Sequence, residues 1–351
     1  MPAVVSIVIP NKNRCGELVH TLASVRDQTR GDFECLVVDD NSTDDFDAAV
    51  APFLDDPRFR VMRQPAGRSG APAARNDGAA AAVGRYVMFL DSDDLLAPFC
   101  LENRVRIMES RPDLDFAVFP CEMFRKSPGD VGLLWNADTG GDDLDRFIRH
   151  DVPWQTTGPI WRKSALAKVG PWDEAARSAQ DWEFHLRAVL SGLKYERFGP
   201  IDLYWRMAGP DRTSIGKSSV TDKSYHTARL ALYRRIYRRV CDAGQMTDQR
   251  RRWFVGMYLA ACEQIGMKIG RREARQAWSA AREDRLLGRR AWWQGWLLLA
   301  QLRWPQRYER AKESLKQRWP VEHFMPRAGT FMKTPVPTPA STVSPPIAEV
   351  A

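Results

Sequence analysis

Continuous apolar runs alternate with helically spaced apolar positions through the first 120 residues. VSIVIP (5–10), FECLVV (33–38), FRVM (59–62), YVMFL (86–90) and DFAVF (115–119) read as strands. Runs without polar interruption are expected of strands covered on both faces. Between them, Leu18, Leu22 and Val25 follow helical spacing. Ser42 and Asp45 have capping-box spacing for a helix running to about Leu54. The alanine-rich stretch 71–82 predicts another helix, closed by Gly84. Strand–helix alternation of this kind predicts an α/β fold, a mostly parallel sheet with helices on both faces.

The rhythm changes near residue 142. Helices are expected near 142–149, 163–169 and 179–191, and short strands near 194–198 and 202–206. From 222 to about 317 the pattern is helical with arginine-rich faces, a mainly helical C-terminal extension. Residues 334–346, TPVPTPASTVSPP, have the composition of a disordered segment. The pattern divides the chain into 1–120 and 121–220 as two halves of one domain, 221–333 as a basic helical region, and 334–351 as a tail.

Charge sharpens this division. Residues 1–220 hold 27 Lys and Arg against 33 Asp and Glu, whereas residues 221–333 hold 25 against 10. A split of that size predicts an anionic partner for the basic region. The six cysteines (15, 35, 100, 121, 241, 262) form no CxxC pair, which argues against a zinc site or disulfide framework and fits a reducing cytoplasm. The first strand has no basic residues ahead of it, as a signal peptide would. No apolar run reaches the roughly 18 to 20 residues of a spanning helix.

Chemistry concentrates where strands end, the edge at which α/β sheets gather ligands. The first strand leads into Pro10-Asn11-Lys12-Asn13-Arg14, the second into Asp39-Asp40-Asn41-Ser42, and the fourth into Asp91-Ser92-Asp93-Asp94. Single polar strand ends are ordinary turns, but three on one sheet edge point to a site. Neither GxGxxG nor GxxxxGK[ST] occurs, which removes the main support for a dinucleotide or P-loop site. Three carboxylates in four positions repel unless a cation lies between them. Hard oxygen donors of this kind suit Mg2+ or Mn2+ shared with substrate phosphates.

The ordered set VSIVIPNKNR, CLVVDDNSTD and GAPAARNDGAAAAVGRYVMFLDSDD resembles glycosyltransferase family 2 over roughly residues 3–210. The resemblance implies a GT-A fold and an inverting, metal-dependent transfer of sugar from a nucleotide donor, a UDP-sugar first. The acceptor would be a hydroxyl of a saccharide or lipid-linked molecule, in cell-surface polysaccharide or glycan synthesis. It places Pro10, Asn11 and Asn13 in the nucleotide pocket, Asp40 on the base with Asp39 supporting its loop, and Arg75 near the diphosphate and base. Asp91-Ser92-Asp93 matches the DXD motif, with Asp93 the first choice as ligand and Asp91 and Asp94 as alternatives. SAQDWEFHLRA (178–188) is similar to the family's acidic catalytic stretch, with Gln180 where a glutamate is usual. Asp181 is thereby the expected base and Trp182 a sugar-stacking or packing residue. His185, one turn on, is a candidate support. LYWRMAGPDRTS (203–214) is similar to a lid-like loop in which Arg206 or Arg212 would approach the diphosphate.

The segment 289–319, with Trp292, Trp293 and Trp296 among arginines, has two readings. One is peripheral contact with an anionic membrane on its cytoplasmic face; the other packs the tryptophans onto the catalytic domain, favoured for Trp292 and Trp293. No nucleic-acid-binding signature is present. The rival functions are a sugar nucleotidyltransferase, which would carry a Gly-rich basic loop where PNKNR stands, and a non-catalytic recruitment module.

Overall fold

The structure is a computed structural model that describes residues 2–135, 140–207 and 222–316. Among the described residues, eleven strands form two sheets. The larger contains β1 (Val5–Asn11), β2 (Phe33–Asp39), β3 (Phe59–Arg63), β4 (Tyr86–Phe89), β6 (Phe116–Val118), β9 (Pro159–Arg162) and β10 (Tyr195–Arg197). The smaller contains β5 (Leu95–Leu96), β7 (Cys121–Phe124), β8 (Leu133–Leu134) and β11 (Leu203–Arg206). The large sheet runs β10-β6-β9-β4-β1-β2-β3, and β9 alone lies antiparallel to its neighbours. The small sheet runs β5-β11-β7-β8.

Every residue of β1 and β2 is buried, which is why they read as unbroken apolar runs. Because successive strand side chains alternate in direction, β1 serves two cores. Val8 joins Leu36, Val87 and Phe89 on one face. Ile7 and Ile9 join Cys35, Val37 and Met88 on the other. Helix α1 (Cys15–Arg26) buries Leu18, Leu22 and Val25. Helix α3 (Ala71–Ala81) lies so close to β1 that a Cβ on Gly78 would fall 2.3 Å from a Val8 methyl. That contact fixes the position of Arg75 on the same helix.

Two boundary readings are corrected. Ser42 and Asp45 make no capping box: α2 (Phe46–Val50) begins later, with Asp45 as an N-cap that makes no side-chain bond. Ser42 instead accepts from the Asn11 and Asn13 nitrogens, at 3.2 and 2.9 Å. Gly84 does not terminate α3, which ends at an extended Ala82. It is small because a Cβ there would lie 2.7 Å from the Ser6 backbone nitrogen. The short strands β5, β7, β8 and β9 have no counterpart in the sequence reading. β9 opens on Pro159, paired with Val118, at a strand start where proline's missing donor is tolerated.

Helix α4 (Cys100–Ser110) places Arg104 between the sheets. Its guanidinium, fully buried, donates to both Asp202 carboxylate oxygens at 2.9 and 2.6 Å and to the Thr157 carbonyl at 2.9 Å. Asp202 directly precedes β11, so this pair ties the small sheet to the large one. Beyond residue 222 the helices Lys223–Asp242, Asp248–Lys268, Arg271–Ala280, Arg289–Ala300 and Pro305–Lys316 follow. They share one apolar cluster with the large sheet, through Tyr233, Phe254 and Trp278. Part of their positive charge is neutralised across that contact: Arg235 pairs with Asp173 at 2.5 Å and Arg250 with Asp145 at 2.6 Å. Among the described residues no helix is long and apolar enough to cross a membrane.

Removing Asp202 would leave the Arg104 charge buried and uncompensated. Asp202→Ala is expected to destabilise the protein by about 3–5 kcal/mol, read as a lower urea midpoint at unchanged slope.

Candidate functional site at the carboxyl edge of the large sheet

β4, β1 and β2 are neighbours, so their polar ends meet at one edge. The β4 end resolves its three carboxylates with three different partners. Asp91 accepts from Arg75 Nη2 at 2.6 Å. Asp93 pairs with Arg14 Nη1 at 3.3 Å. Asp94 is fully buried beneath the turn, where its oxygens accept from the Arg206 backbone N–H at 3.1 Å and Thr157 Oγ1 at 3.4 Å. Burial, then the charges of Asp93 and Asp91, hold the Asp94 carboxyl well above the usual range. Asp94 therefore faces the protein, whereas Asp91 and Asp93 retain exposure, at 31% and 19%. Ser92 is buried within the same turn.

Arg75 links this turn to the start of helix α7 (Gln180–Leu190), which follows α5 (Asp143–Ile148) and α6 (Lys163–Val169). Its Nη1 donates to Gln180 Oε1 at 3.1 Å, and the guanidinium lies 4.6 Å from the Trp172 ring centroid. Only 5% of Arg75 is exposed, so it is a positioned cation and not a solvated helix arginine. Asp181 follows in the first turn of α7, partly exposed. Burial is the largest influence on its carboxyl and pushes it above the ordinary range, reinforced by Asp91 and opposed by Arg75. Ala179, immediately before the helix, holds a left-handed backbone (φ 54°) that an alanine rarely adopts. Strain at such positions is maintained by the surrounding structure.

At the β1 and β2 ends, Asp40 is nearly buried and its Oδ2 accepts from Lys12 Nζ (3.1 Å), Ser69 Oγ (3.0 Å) and Gly70 N (2.9 Å). Asp39 is fully buried and accepts from Asn11 Nδ2 and Ser42 N, at 3.3 and 3.1 Å. Asn13, at φ 51°, accepts from Thr43 N at 2.7 Å. The side chains of Asn11 and Asn13 thus brace the 39–43 loop, while Pro10 lies buried at the end of β1. These three were expected to line a nucleotide pocket; their contacts here lie within the loop framework.

The sugar-stacking reading of Trp182 is corrected. Its ring is 1% exposed, donates from Nε1 to the Phe147 carbonyl at 2.5 Å and stacks on His150 at 4.5 Å between centroids. His185 is likewise enclosed, ringed by Phe147, Trp154, Trp161, Trp172 and Phe184. Burial lowers its pKa to about 3, so it stays neutral. Arg206 reaches the DXD turn by donating from Nε to the Asp93 carbonyl at 2.9 Å, which makes it a brace for that turn. Arg212 lies outside the described residues.

The roles of Arg14, Lys12 and Trp172 were not assigned from sequence. The first two stood in the PNKNR stretch and Trp172 in GPWDE, but only the fold reveals which carboxylate or cation each meets. All six cysteines are free. Among the described residues no three His, Cys, Asp or Glu side chains converge to hold a metal ion by themselves.

Comparison with known proteins matches residues 6–165 to the family model "Glycosyl transferase family 2" and residues 86–308 to "Glycosyl transferase family group 2". An uncharacterized glycosyltransferase of Rickettsia felis is 39% identical over 105 residues, covering 30% of this chain and 17% of that protein. One from Haemophilus influenzae is 27% identical over 186 residues, covering 53% and 62%. A PGL/p-HBAD biosynthesis glycosyltransferase of Mycobacterium tuberculosis is 29% identical over 197 residues, covering 55% and 72%. The chain thus spans less than a fifth of the Rickettsia relative. Among solved structures, S. aureus TarS 1-349 in complex with UDP-GlcNAc superposes with a TM-score of 0.65 at 18% identity, covering 91% of this chain and 92% of that one.

Trp182→Phe keeps an aromatic ring against His150 but removes the indole N–H from the Phe147 carbonyl, which still accepts from the His150 N–H, and takes away part of a buried ring. A loss of about 1–3 kcal/mol is expected from the missing bond and volume, measured by urea denaturation.

Proposed function

Because the chain belongs to glycosyl transferase family group 2 and has the GT-A fold, we propose that this sheet edge transfers a sugar from a nucleotide-sugar donor, a UDP-sugar first, to an acceptor hydroxyl. The observation that carries this reading is the Arg75 bridge. It ties the Asp91–Asp93 turn to Gln180 in the first turn of α7, which in this reading brings the leaving group and the base Asp181 to one arginine.

Asp40 is the group for the base, fixed by Lys12, Ser69 and Gly70 N through one oxygen. Asp91 and Asp93 suit Mg2+ or Mn2+, since they are hard oxygen donors with some exposure. Asp91 and Asp93 would be the residues that hold such an ion, one or two carboxylates being what a Mg2+ site commonly takes from its protein. A divalent ion held there would stabilise charge developing on the departing diphosphate. Arg75 and Arg14, already paired with these carboxylates, add fixed positive charge at the same place.

On the acceptor side, Asp181 removes the hydroxyl proton as the acceptor oxygen bonds to the anomeric carbon and the bond to phosphate breaks. The proton ends on Asp181 and the electron pair on the nucleoside diphosphate. Displacement from the opposite face inverts the anomeric centre. The raised pKa of Asp181 makes its carboxylate a better base than a solvated aspartate, within the limits of Brønsted behaviour. Gln180, where the family usually has a glutamate, binds Arg75 without adding a second negative charge beside Asp91. The complex of TarS with UDP-GlcNAc supports the donor class, and the mycobacterial relative supports a biosynthetic transfer. A saccharide or lipid-linked acceptor fits this reading.

A screen of UDP-sugars with Mn2+ and a saccharide acceptor tests it. Asp181→Asn is expected to bind donor as before yet lose transfer by about 10²–10⁴-fold. The working form of Asp181 is the carboxylate, so the wild-type rate should fall as pH drops through its raised pKa. That acid limb should lie above the value of about 3.9 for a free aspartate. Near-normal turnover by Asp181→Asn would refute the base assignment.

A further inference from the structure

The helix Arg289–Ala300 has two unlike faces. Gly295, Leu298 and Leu299 are buried, and Gly295 lies so close to the Trp278 indole that a Cβ would fall 2.2 Å from its ring. Trp292 belongs to this docked side, donating from Nε1 to Ser279 Oγ at 3.1 Å and accepting from Trp278 Nε1 at its carbonyl at 2.9 Å. Trp292 is therefore packed, but against the neighbouring C-terminal helix and not, as expected from sequence, on the catalytic domain.

The packed reading does not hold for Trp293. Trp293 and Leu297, one turn apart on the same stripe, are 54% and 52% exposed. Arg289 and Arg290 occupy the preceding turn of that stripe and are exposed too. Beyond the short turn Gln301–Arg303, Trp304 is 48% exposed, with the Arg303 and Arg307 guanidinium carbons 6.0 and 5.7 Å from its ring centroid. From 285 to 316 the sequence holds eight Lys and Arg against two Glu.

We propose that this face seats the protein on an anionic bilayer surface. Indole rings, apolar in body and polar at the N–H, favour the headgroup boundary. Exposed arginines beside them complement anionic lipid phosphates. The helix is twelve residues long, about 18 Å, too short to span the hydrocarbon core of about 30 Å. It is anchored to the rest of the protein along its opposite side, so it presents Trp293 and Leu297 without unfolding. This contact is independent of the transfer reaction.

Cosedimentation of the full chain with vesicles tests it, using phosphatidylcholine alone or mixed with phosphatidylglycerol. Wild type is expected to bind the mixed vesicles, more weakly as salt is raised, and to leave pure phosphatidylcholine unbound. Trp293→Ser with Leu297→Ser should weaken binding at least about tenfold. Arg289→Glu with Arg290→Glu should do so to a similar degree. Both pairs replace exposed side chains and should keep the wild-type circular dichroism and melting temperature. Equal binding to both vesicle types, no binding to either, or variants that bind like wild type would overturn the proposal. So would self-association that the Trp293 and Leu297 changes abolish while vesicle binding is absent.

Discussion

Three carboxylates within four residues at the end of β4 set the problem that the surrounding structure solves. Left together in a partly buried turn, Asp91, Asp93 and Asp94 would raise one another's pKa and push the turn apart. Each is given a separate partner drawn from a distant part of the chain. Asp91 receives Arg75 from α3, Asp93 receives Arg14 from the entry to α1, and Asp94 receives the backbone N–H of Arg206 from β11. The turn consequently depends on both sheets. The buried Arg104–Asp202 pair, which holds the start of β11 in place, is part of the same solution.

This arrangement separates two kinds of carboxylate that look alike in sequence. Asp94 is consumed by the fold, as a buried acceptor, whereas Asp91 and Asp93 retain exposure with cations beside them. In the proposed reaction the same cations serve the diphosphate as well, since the groups that steady the carboxylates also bear positive charge toward the leaving group. Arg75 has the further task of tying the turn to α7. The strained Ala179 before that helix shows that the start of α7 is held by its surroundings.

The strands that carry the site were legible because burial on both faces leaves an unmistakable apolar run, as in β1 and β2. Short strands were not. β9 is four residues long, opens on a proline and owes its place to pairing with β4 and β6, which lie tens of residues away. The same holds for the side chains. Asp39 and Asp40 announced a polar strand end, and Asp39 does brace its loop. Yet which of three acidic neighbours turns inward depends on Arg206 and Thr157, 112 and 63 residues from Asp94. Trp182 stayed open between two readings because an aromatic beside a candidate base reads equally as a sugar platform or as core, and only the direction of its ring, toward His150 and Phe147, decides for the core. Trp293 misled, since helical spacing alone did not say which side of its helix meets Trp278.

The central claim, that the β4 turn divides its carboxylates between ligand and framework, is most directly tested by calorimetric titration of UDP in Mn2+ and in EDTA. The account predicts that wild type and Asp94→Asn both bind UDP more tightly with Mn2+, and that Asp93→Asn loses this dependence. A metal-dependent affinity that survives in Asp93→Asn and disappears in a folded Asp94→Asn would contradict it.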